Sequence, residues 1–371
     1  MIVENINKKH NKPRILLSPL DWGLGHTTRC IPLIATLLKQ NAEVLIAAET
    51  ASASLLKKEF PSLVILPLKG YEIRYSRQKI GFGLKMALQM PRLLRSIRYE
   101  RKWLAKCIKE HKIDGVISDN RFGFSNPSIP CIFITHQLFI ETGFSSLNNS
   151  VQKINYRFIN RFNACWVPDD ASDNNLAGKL SHPAQMPAIP VHYLGILSRF
   201  KPTITDTRFD LLILLSGPEP QRSIFEKMLV EQVHNFKGSI VIVRGLPSGT
   251  ISRESIPENI TVHNHLPANE LNLLIQQSGM IVARSGYSTV MDLVSLQKKA
   301  ILVPTPGQGE QEYLAAHLLE KKLFYTTQQA GFNLDEALEA IKKFETNKID
   351  IRQGPDEKLL ANWLQQLLDR Q

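Results

Sequence analysis

Residues 281–313 read IVARSGYSTVMDLVSLQKKAILVPTPGQGEQEY. The apolar run Met280 to Ala283 predicts a strand, Arg284-Ser285-Gly286 a tight turn, and Val290, Leu293 and Val294 the buried face of a helix. A second apolar run, Ala300 to Val303, predicts another strand, followed by a Pro/Gly turn that ends in Gln311-Glu312. A strand that feeds a helix through small residues places backbone N–H groups and a positive dipole end at the strand's carboxyl edge, which suits a phosphate. Asp292 lies two turns beyond Ser285 and can chelate a diol. Gln311 and Glu312 offer a donor and acceptors for sugar hydroxyls. The unit can hold phosphate, ribose and sugar in succession.

The same alternation extends in both directions. Upstream, strands are expected at 14–18, 43–48, 63–66, 115–118, 131–135 and 164–168, the last before a crossover, with helices at 28–39 and 53–59. Residues 198–210 are polar, with Pro202 and three Thr, and read as a linker. Downstream, strands are expected at 211–215, 239–243, 260–262 and 324–326, and helices at 221–234, 268–277 and 334–344. Gly354-Pro355 then signals the start of a last helix, 356–370, with leucines and Trp363 at helical spacing. The fold class is α/β: two Rossmann-like domains with parallel sheets covered on both faces, facing a cleft. The expected division is 1–198, a linker at 199–210, 211–353, and a C-terminal helix at 354–371 returning to the N-terminal domain.

Composition narrows the function. The 371 residues are 43% hydrophobic and 21% charged, as in a globular protein with large cores, and the net charge of +11 calls for an acidic partner. Cys30, Cys107, Cys131 and Cys165 lie far apart without a CxxC pair, so neither zinc nor a disulfide framework is expected, and a reducing cytoplasm fits. Met1 to Pro13 is polar and lacks the apolar core of a secretory signal. The longest apolar runs are strand-length, far short of the roughly 20 residues that span a bilayer. Residues 69–112 hold 13 Lys/Arg against 3 Glu. Within them Arg92, Arg95, Arg98, Arg101 and Lys102 recur at three- and four-residue intervals, beside apolar positions that begin with Phe82, Leu84 and Met86. This stripe is either a solvated helix face or a dock for anionic lipid. Nucleic acid ranks third, because the segment lacks interleaved aromatics.

In the first half, Gly23-Leu24-Gly25-His26 follows the first strand. As a dinucleotide fingerprint it is incomplete, since Thr28 stands where the third glycine belongs, although Glu49 ends the second strand where a ribose-binding acid would. An NAD-dependent reading therefore stays open beside a plain tight turn. His26 lies where such sheets place ligands. Asp119, at the end of another strand, can orient it as the second member of a base–orienter pair, or serve only as a turn residue. Asn120, His136 and Gln137 sit at strand ends that can meet a hydroxylated ligand. In the second half Ser216-Gly217-Pro218 ends a strand but is stiff and poor in donors, and His265-Leu266 precedes a helix where backbone groups can pair with a base edge.

With these residues in place the chain resembles the GT-B glycosyltransferases, and more narrowly glycosyltransferase family 28. The resemblance rests on GLGH at 23–26, the linker, R-S-G-x-x-T-V-x-D at 284–292 and P-x-x-x-x-Q-E-Y at 306–313. It implies a UDP-sugar held by the second domain. Leu266 would meet the uracil; Ser285, Gly286 and Thr289 the diphosphate, with Arg284 and Gly217 also on the donor side; Asp292 the ribose; and Gln311 and Glu312 the sugar. Gly23, Gly25 and His26 occupy the family's acceptor-side loop, and the basic segment corresponds to the region used against the membrane. The chain departs from the pattern at SGPEPQ (216–221) and SDNRFGF (118–124). Asp292 and Glu312 also replace a Glu and a Gln of the family's peptidoglycan-precursor enzyme.

The expectation is an inverting hexosyltransferase that moves a hexose or N-acetylhexosamine from a UDP-sugar to a hydroxyl of a lipid-linked or membrane-surface acceptor. His26 is the base and Asp119 its partner, with no cofactor or metal and no nucleic acid. The expected location is cytoplasmic, peripheral on the inner face of the membrane. A UDP-sugar 2-epimerase on the same fold and a non-catalytic membrane- or polyanion-binding protein are the alternatives.

Overall fold

A computed structural model of the chain describes residues 12–21, 23–70, 82–142, 145–234, 236–246 and 258–370. Trp22 and the side chains of Phe82, Leu84 and Met86 lie outside the described set. Each half builds one all-parallel sheet. In the first, β1 (Arg14–Pro19), β2 (Glu43–Ala48), β3 (Val64–Pro67), β4 (Gly115–Asp119), β5 (Cys131–Ile134), β6 (Ala164–Val167) and β7 (Val191–Tyr193) lie in the order β3-β2-β1-β4-β5-β6-β7. In the second, β8 (Phe209–Leu214), β9 (Ile240–Val243), β10 (Ile260–His263), β11 (Ser278–Ala283), β12 (Ala300–Leu302) and β13 (Tyr325–Thr326) lie in the order β10-β9-β8-β11-β12-β13. Runs such as Ile15 to Leu17 and Ile281 to Ala283 are wholly buried, as strands covered on both faces must be. The crossover expected after 164–168 comes one strand later, because β7 adds to the sheet edge beside β6.

Both strand orders reverse once, between β1 and β4 and between β8 and β11. Such switch points open the crevice where doubly wound sheets bind ligands. Register sets what meets there. Pro19 pairs with Asp119, which brings Asp119 level with the end of β1. Ala283 pairs with both Leu214 and Leu302, so the turns after β8, β11 and β12 gather at one carboxyl edge.

Helices α1 (Leu24–Lys39) and α2 (Thr50–Glu59) cover the inner face of the first sheet. The long α3 (Phe82–His111) and α4 (Ser145–Ile159) cover the outer face through Leu104, Cys107, Tyr156 and Ile159. On the second sheet, α6 (Ala268–Gln276), α7 (Tyr287–Ser295) and α8 (Gly309–Glu320) face inward, while α5 (Gln221–Val233) and α9 (Leu334–Lys343) face out. One apolar cluster runs from Ile34 and Leu37 through Ile196 and Phe200 to Val290 and Leu293, so the two halves share a core.

The last helix, α10 (Glu357–Leu368), returns to the first sheet as expected. Trp363 meets Trp166 of β6 edge-on at 5.4 Å, and a Cβ on Gly115 of β4 would come within 2.9 Å of the Trp363 ring. Arg92, Arg95, Arg98 and Lys102 lie exposed along α3, opposite buried Ile97 and Leu104, while Arg101 is half-buried. No helix among the described residues is long and apolar enough to cross a membrane. Truncating the buried Trp363 to Ala should cost about 3–5 kcal/mol through the cavity it leaves. The check is chemical denaturation of the two proteins, which should unfold the variant at distinctly lower denaturant.

Candidate active site

Helix α1 begins immediately after Gly23, whose φ of 89° is a left-handed geometry that glycine adopts without strain. The helix was expected from Thr28. It starts earlier, so Gly25 and His26 belong to its first turn rather than to a loop. There His26 Nδ1 lies 2.8 Å from Asp119 Oδ1. Asp119 is fully buried and also takes a two-pronged ion pair from Arg29, through Nε at 2.6 Å and through Nη2. Burial alone would raise the Asp119 pKa, but Arg29 and then His26 outweigh it and hold the carboxyl far below its usual range. His26 is itself lowered, first by burial and then by Arg29, with Asp119 partly opposing. Arg29 Nη2 also lies 2.8 Å from His26 Nδ1, but it is bonded to Asp119, and the ionised Asp119 is the stronger acceptor for the Nδ1 proton, which leaves Nε2 with the lone pair a base needs.

Across the cleft, α7 begins at Gly286 with φ −70° and ψ 138°, a capping conformation with no side-chain cap hydrogen bond. A Cβ added at Gly286 would meet nothing within 4 Å, so there is room at the helix start, where the first-turn N–H groups lack partners within the helix. The two helix starts adjoin: a Cβ on Gly25 would lie 2.7 Å from Ser288 Oγ. Beneath this turn Arg284 is buried. Its guanidinium donates to the carbonyls of Val303, Pro304 and Gln221 and to the Gln329 side chain, and it lies 4.1 Å from the centroid of the Phe225 ring. None of these partners is a carboxylate. Burial lowers its pKa to about 10, which leaves it cationic at neutral pH.

Asp292 accepts from Ser198 Oγ at 2.6 Å, a residue of the connector. Burial raises its pKa to about 6, with Ser198 and Arg199 opposing. Arg199 also acts on His265, so a cation, a carboxylate and the His265-Leu266 loop share one corner, and Leu266 is buried. Gln311 and Glu312 turn inward to their own loop. Gln311 Oε1 accepts from Thr305 N–H at 3.0 Å, its backbone oxygen accepts from Ser285 Oγ at 2.9 Å, and Glu312 accepts from Gly307 N–H at 2.8 Å. Gly217 takes φ 101° and faces Thr305 Oγ1 across the donor edge.

The fold has counterparts among known proteins. Residues 252–361 match the glycosyltransferase family 28 C-terminal domain. An uncharacterized glycosyltransferase of Methanosarcina acetivorans is 23% identical over 329 residues, covering 83% of this chain and 84% of that protein. Among solved structures, MurG of Acinetobacter baumannii superposes with a TM-score of 0.53 at 14% identity, covering 96% of this chain and 95% of that one. LpCGTa in complex with UDP does so with a TM-score of 0.60 at 12% identity, covering 97% and 94%. The chain carries a family 28 C-terminal domain over residues 252–361, on a GT-B fold.

The predicted residues fall into three places. His26 and Asp119 meet, with Gly23, Gly25 and Asn120 around them. Arg284, Ser285, Gly286 and Thr289 form the facing turn, and Asp292 and Leu266 form a corner beside it. His136, expected to face a hydroxylated ligand, is instead buried, with both ring nitrogens occupied by Arg29 (3.0 Å) and Glu310 (2.7 Å). Gln137 remains half-buried beside it. Arg29, Arg199, Tyr287 and Glu310 were not singled out in the sequence. Arg29 alone carried a signal, its spacing of three from His26, which puts both on one helix face. Among the described residues no group of three or more His, Cys, Asp or Glu is placed to hold a metal ion.

Asp292 yields a sign-specific prediction. A carboxyl raised to about 6 in the folded state, against a usual value near 4, penalises folding fully above pH 6, and the penalty fades as pH falls through that window. Asp292→Asn should therefore raise the melting temperature at pH 7.5, with the gain shrinking below pH 6, while weakening nucleotide binding. Paired thermal melts and UDP titrations across pH 5–8 check both effects.

Proposed function

We propose that the enzyme transfers a hexose or N-acetylhexosamine, with inversion, from a UDP-sugar to a hydroxyl of a lipid-linked acceptor at a membrane surface. One observation carries the reading: a carboxylate-oriented histidine at one switch point faces an uncapped, glycine-started helix at the other. His26 Nε2 takes the acceptor hydroxyl proton. The acceptor oxygen forms its bond to the anomeric carbon from the face opposite the nucleotide, and the bond from that carbon to the diphosphate oxygen breaks through an oxocarbenium-like state. The departing charge meets the first-turn N–H groups of α7 and the field of cationic Arg284, stabilisation that needs no rearrangement during the reaction. In this reading no metal takes part, and turnover persists in excess EDTA.

Asp292 would hold the ribose diol, with Arg199 and the His265-Leu266 loop beside the base. The bound UDP of LpCGTa supports a uridine nucleotide. A ring of exposed Arg92, Arg95, Arg98 and Lys102 on α3 supports an anionic surface as the place of work, at about 1 kcal/mol per basic residue near such a membrane. Gln311 and Glu312, tied into their loop, would shape the sugar subsite more than grip the sugar.

The test is UDP release from a panel of UDP-hexoses with a membrane lipid extract as acceptor. His26→Ala should lower turnover about 10²–10⁴-fold. Because burial and Arg29 depress His26, the acid limb of kcat/KM should fall below pH 6.5. Full activity in His26→Ala contradicts the base assignment, and conversion of the UDP-sugar with no acceptor, seen by NMR, makes the enzyme an epimerase.

A further inference from the structure

The side chains around His26 continue without a gap into the C-terminal domain. Arg29 holds Asp119 with Nε and Nη2, and its Nη1 lies 3.0 Å from His136 Nδ1. Arginine N–H groups only donate, so Nδ1 of His136 is the acceptor and its ring proton sits on Nε2. That nitrogen points at Glu310 Oε1, 2.7 Å away in the first turn of α8, where the helix dipole favours a carboxylate. The ring is also stacked on Tyr287 of α7 at 4.2 Å and 7°, and the Tyr287 hydroxyl donates to Pro168 O at 2.7 Å. A histidine of one domain is thus seated between two side chains of the other.

We propose that Glu310, His136 and Arg29 are positioning residues that complete the base only when the domains are closed. Glu310 accepts the Nε2–H of His136 and sets an anion against the cluster, His136 accepts one arm of Arg29, and the remaining arms hold Asp119 against His26. The inference rests on His26 as the base. Opening the cleft withdraws Glu310 and Tyr287, so His136 loses the acceptor for its Nε2–H and the ring stacked on it, and the base loses a nearby anion. An open enzyme then has a poorly oriented base, which keeps a bound donor from being spent on water.

The charged and titratable groups facing His26 are Arg29 and Cys30 on α1, Asp119 on β4, His136 after β5 and Glu310 on α8. Burial would raise Glu310, but His136, His26 and Arg29 outweigh it and lower it, so it faces this cluster as an anion at neutral pH. Removing that anion disfavours the protonated form of His26.

The experiment is long-range ¹H–¹⁵N NMR of the full-length protein labelled with [¹⁵N]histidine, titrated in wild type and Glu310→Gln. His26→Ala and His136→Phe spectra assign the two rings. Glu310 is a third exposed, so the Gln variant keeps the fold. The expected result is a wild-type His136 in the Nε2–H form and a His26 in the Nδ1–H form. In Glu310→Gln, which keeps an acceptor for His136 but removes the charge, the His26 midpoint moves to lower pH. His26 titrating identically in both proteins overturns the proposal. The readout needs no turnover, so full activity in His26→Ala would remove the base assignment while leaving this coupling independently measurable.

Discussion

The ion pair between Arg29 and Asp119 is the constraint around which the cleft is arranged. Both side chains are essentially removed from water, a position two charges tolerate only with near-complete pairing. The pairing needs α1 to start at Gly23, three residues before His26 and six before Arg29, and needs β4 to end level with β1. Removing either partner would leave an isolated buried charge, typically worth about 3–5 kcal/mol. The same pair sets the chemistry. Asp119 stays ionised and contacts His26, while the nearby guanidinium disfavours the protonated imidazole, as the proposed base role requires.

Helix starts tell a complementary story. Away from the cleft, Asn333 and Asp356 cap α9 and α10 with side-chain oxygens, the ordinary solution. At the cleft, α1 and α7 start at Gly23 and Gly286 with no side-chain cap. Glycine in place of an Asn or Asp cap costs about a few tenths of a kcal/mol. At α7 it leaves donors for a ligand's anionic group, with the uncompensated charge of Arg284 beneath them. Asp292 shows the same trade, since its ionised form opposes folding. Residues that strain the fold at this edge are the ones the proposed reaction uses.

Much of this was legible in the chain. Runs such as Arg14 to Ser18 and Ile240 to Val243 read as buried strands because both faces are covered, and the R-S-G-x-x-T-V-x-D stretch marked the facing turn because its glycine and helix period are local. The start of α1 was not legible: Gly-Leu-Gly reads as a loop, and only tertiary packing against Ser288 makes it a helical turn. Contacts across 94 and 174 positions left no pattern. Ser198 and Asp292, or His136 and Glu310, are ordinary polar residues until the two sheets close. Gln311 illustrates the limit most clearly, because a polar residue near a sugar subsite looks the same in sequence whether it binds sugar or ties its own turn.

The account's central claim is that the bare start of α7 receives the diphosphate, and one substitution addresses it directly. Gly286 has a capping φ and ψ and open space at its Cβ, so Asp there would cap α7 and put a carboxylate where the diphosphate should sit. Calorimetric titration of UDP into wild type and Gly286→Asp, with thermal melts alongside, reads both effects. The account predicts an equal or higher melting temperature with UDP binding lost. A variant that melts normally and binds UDP as tightly as wild type would contradict it.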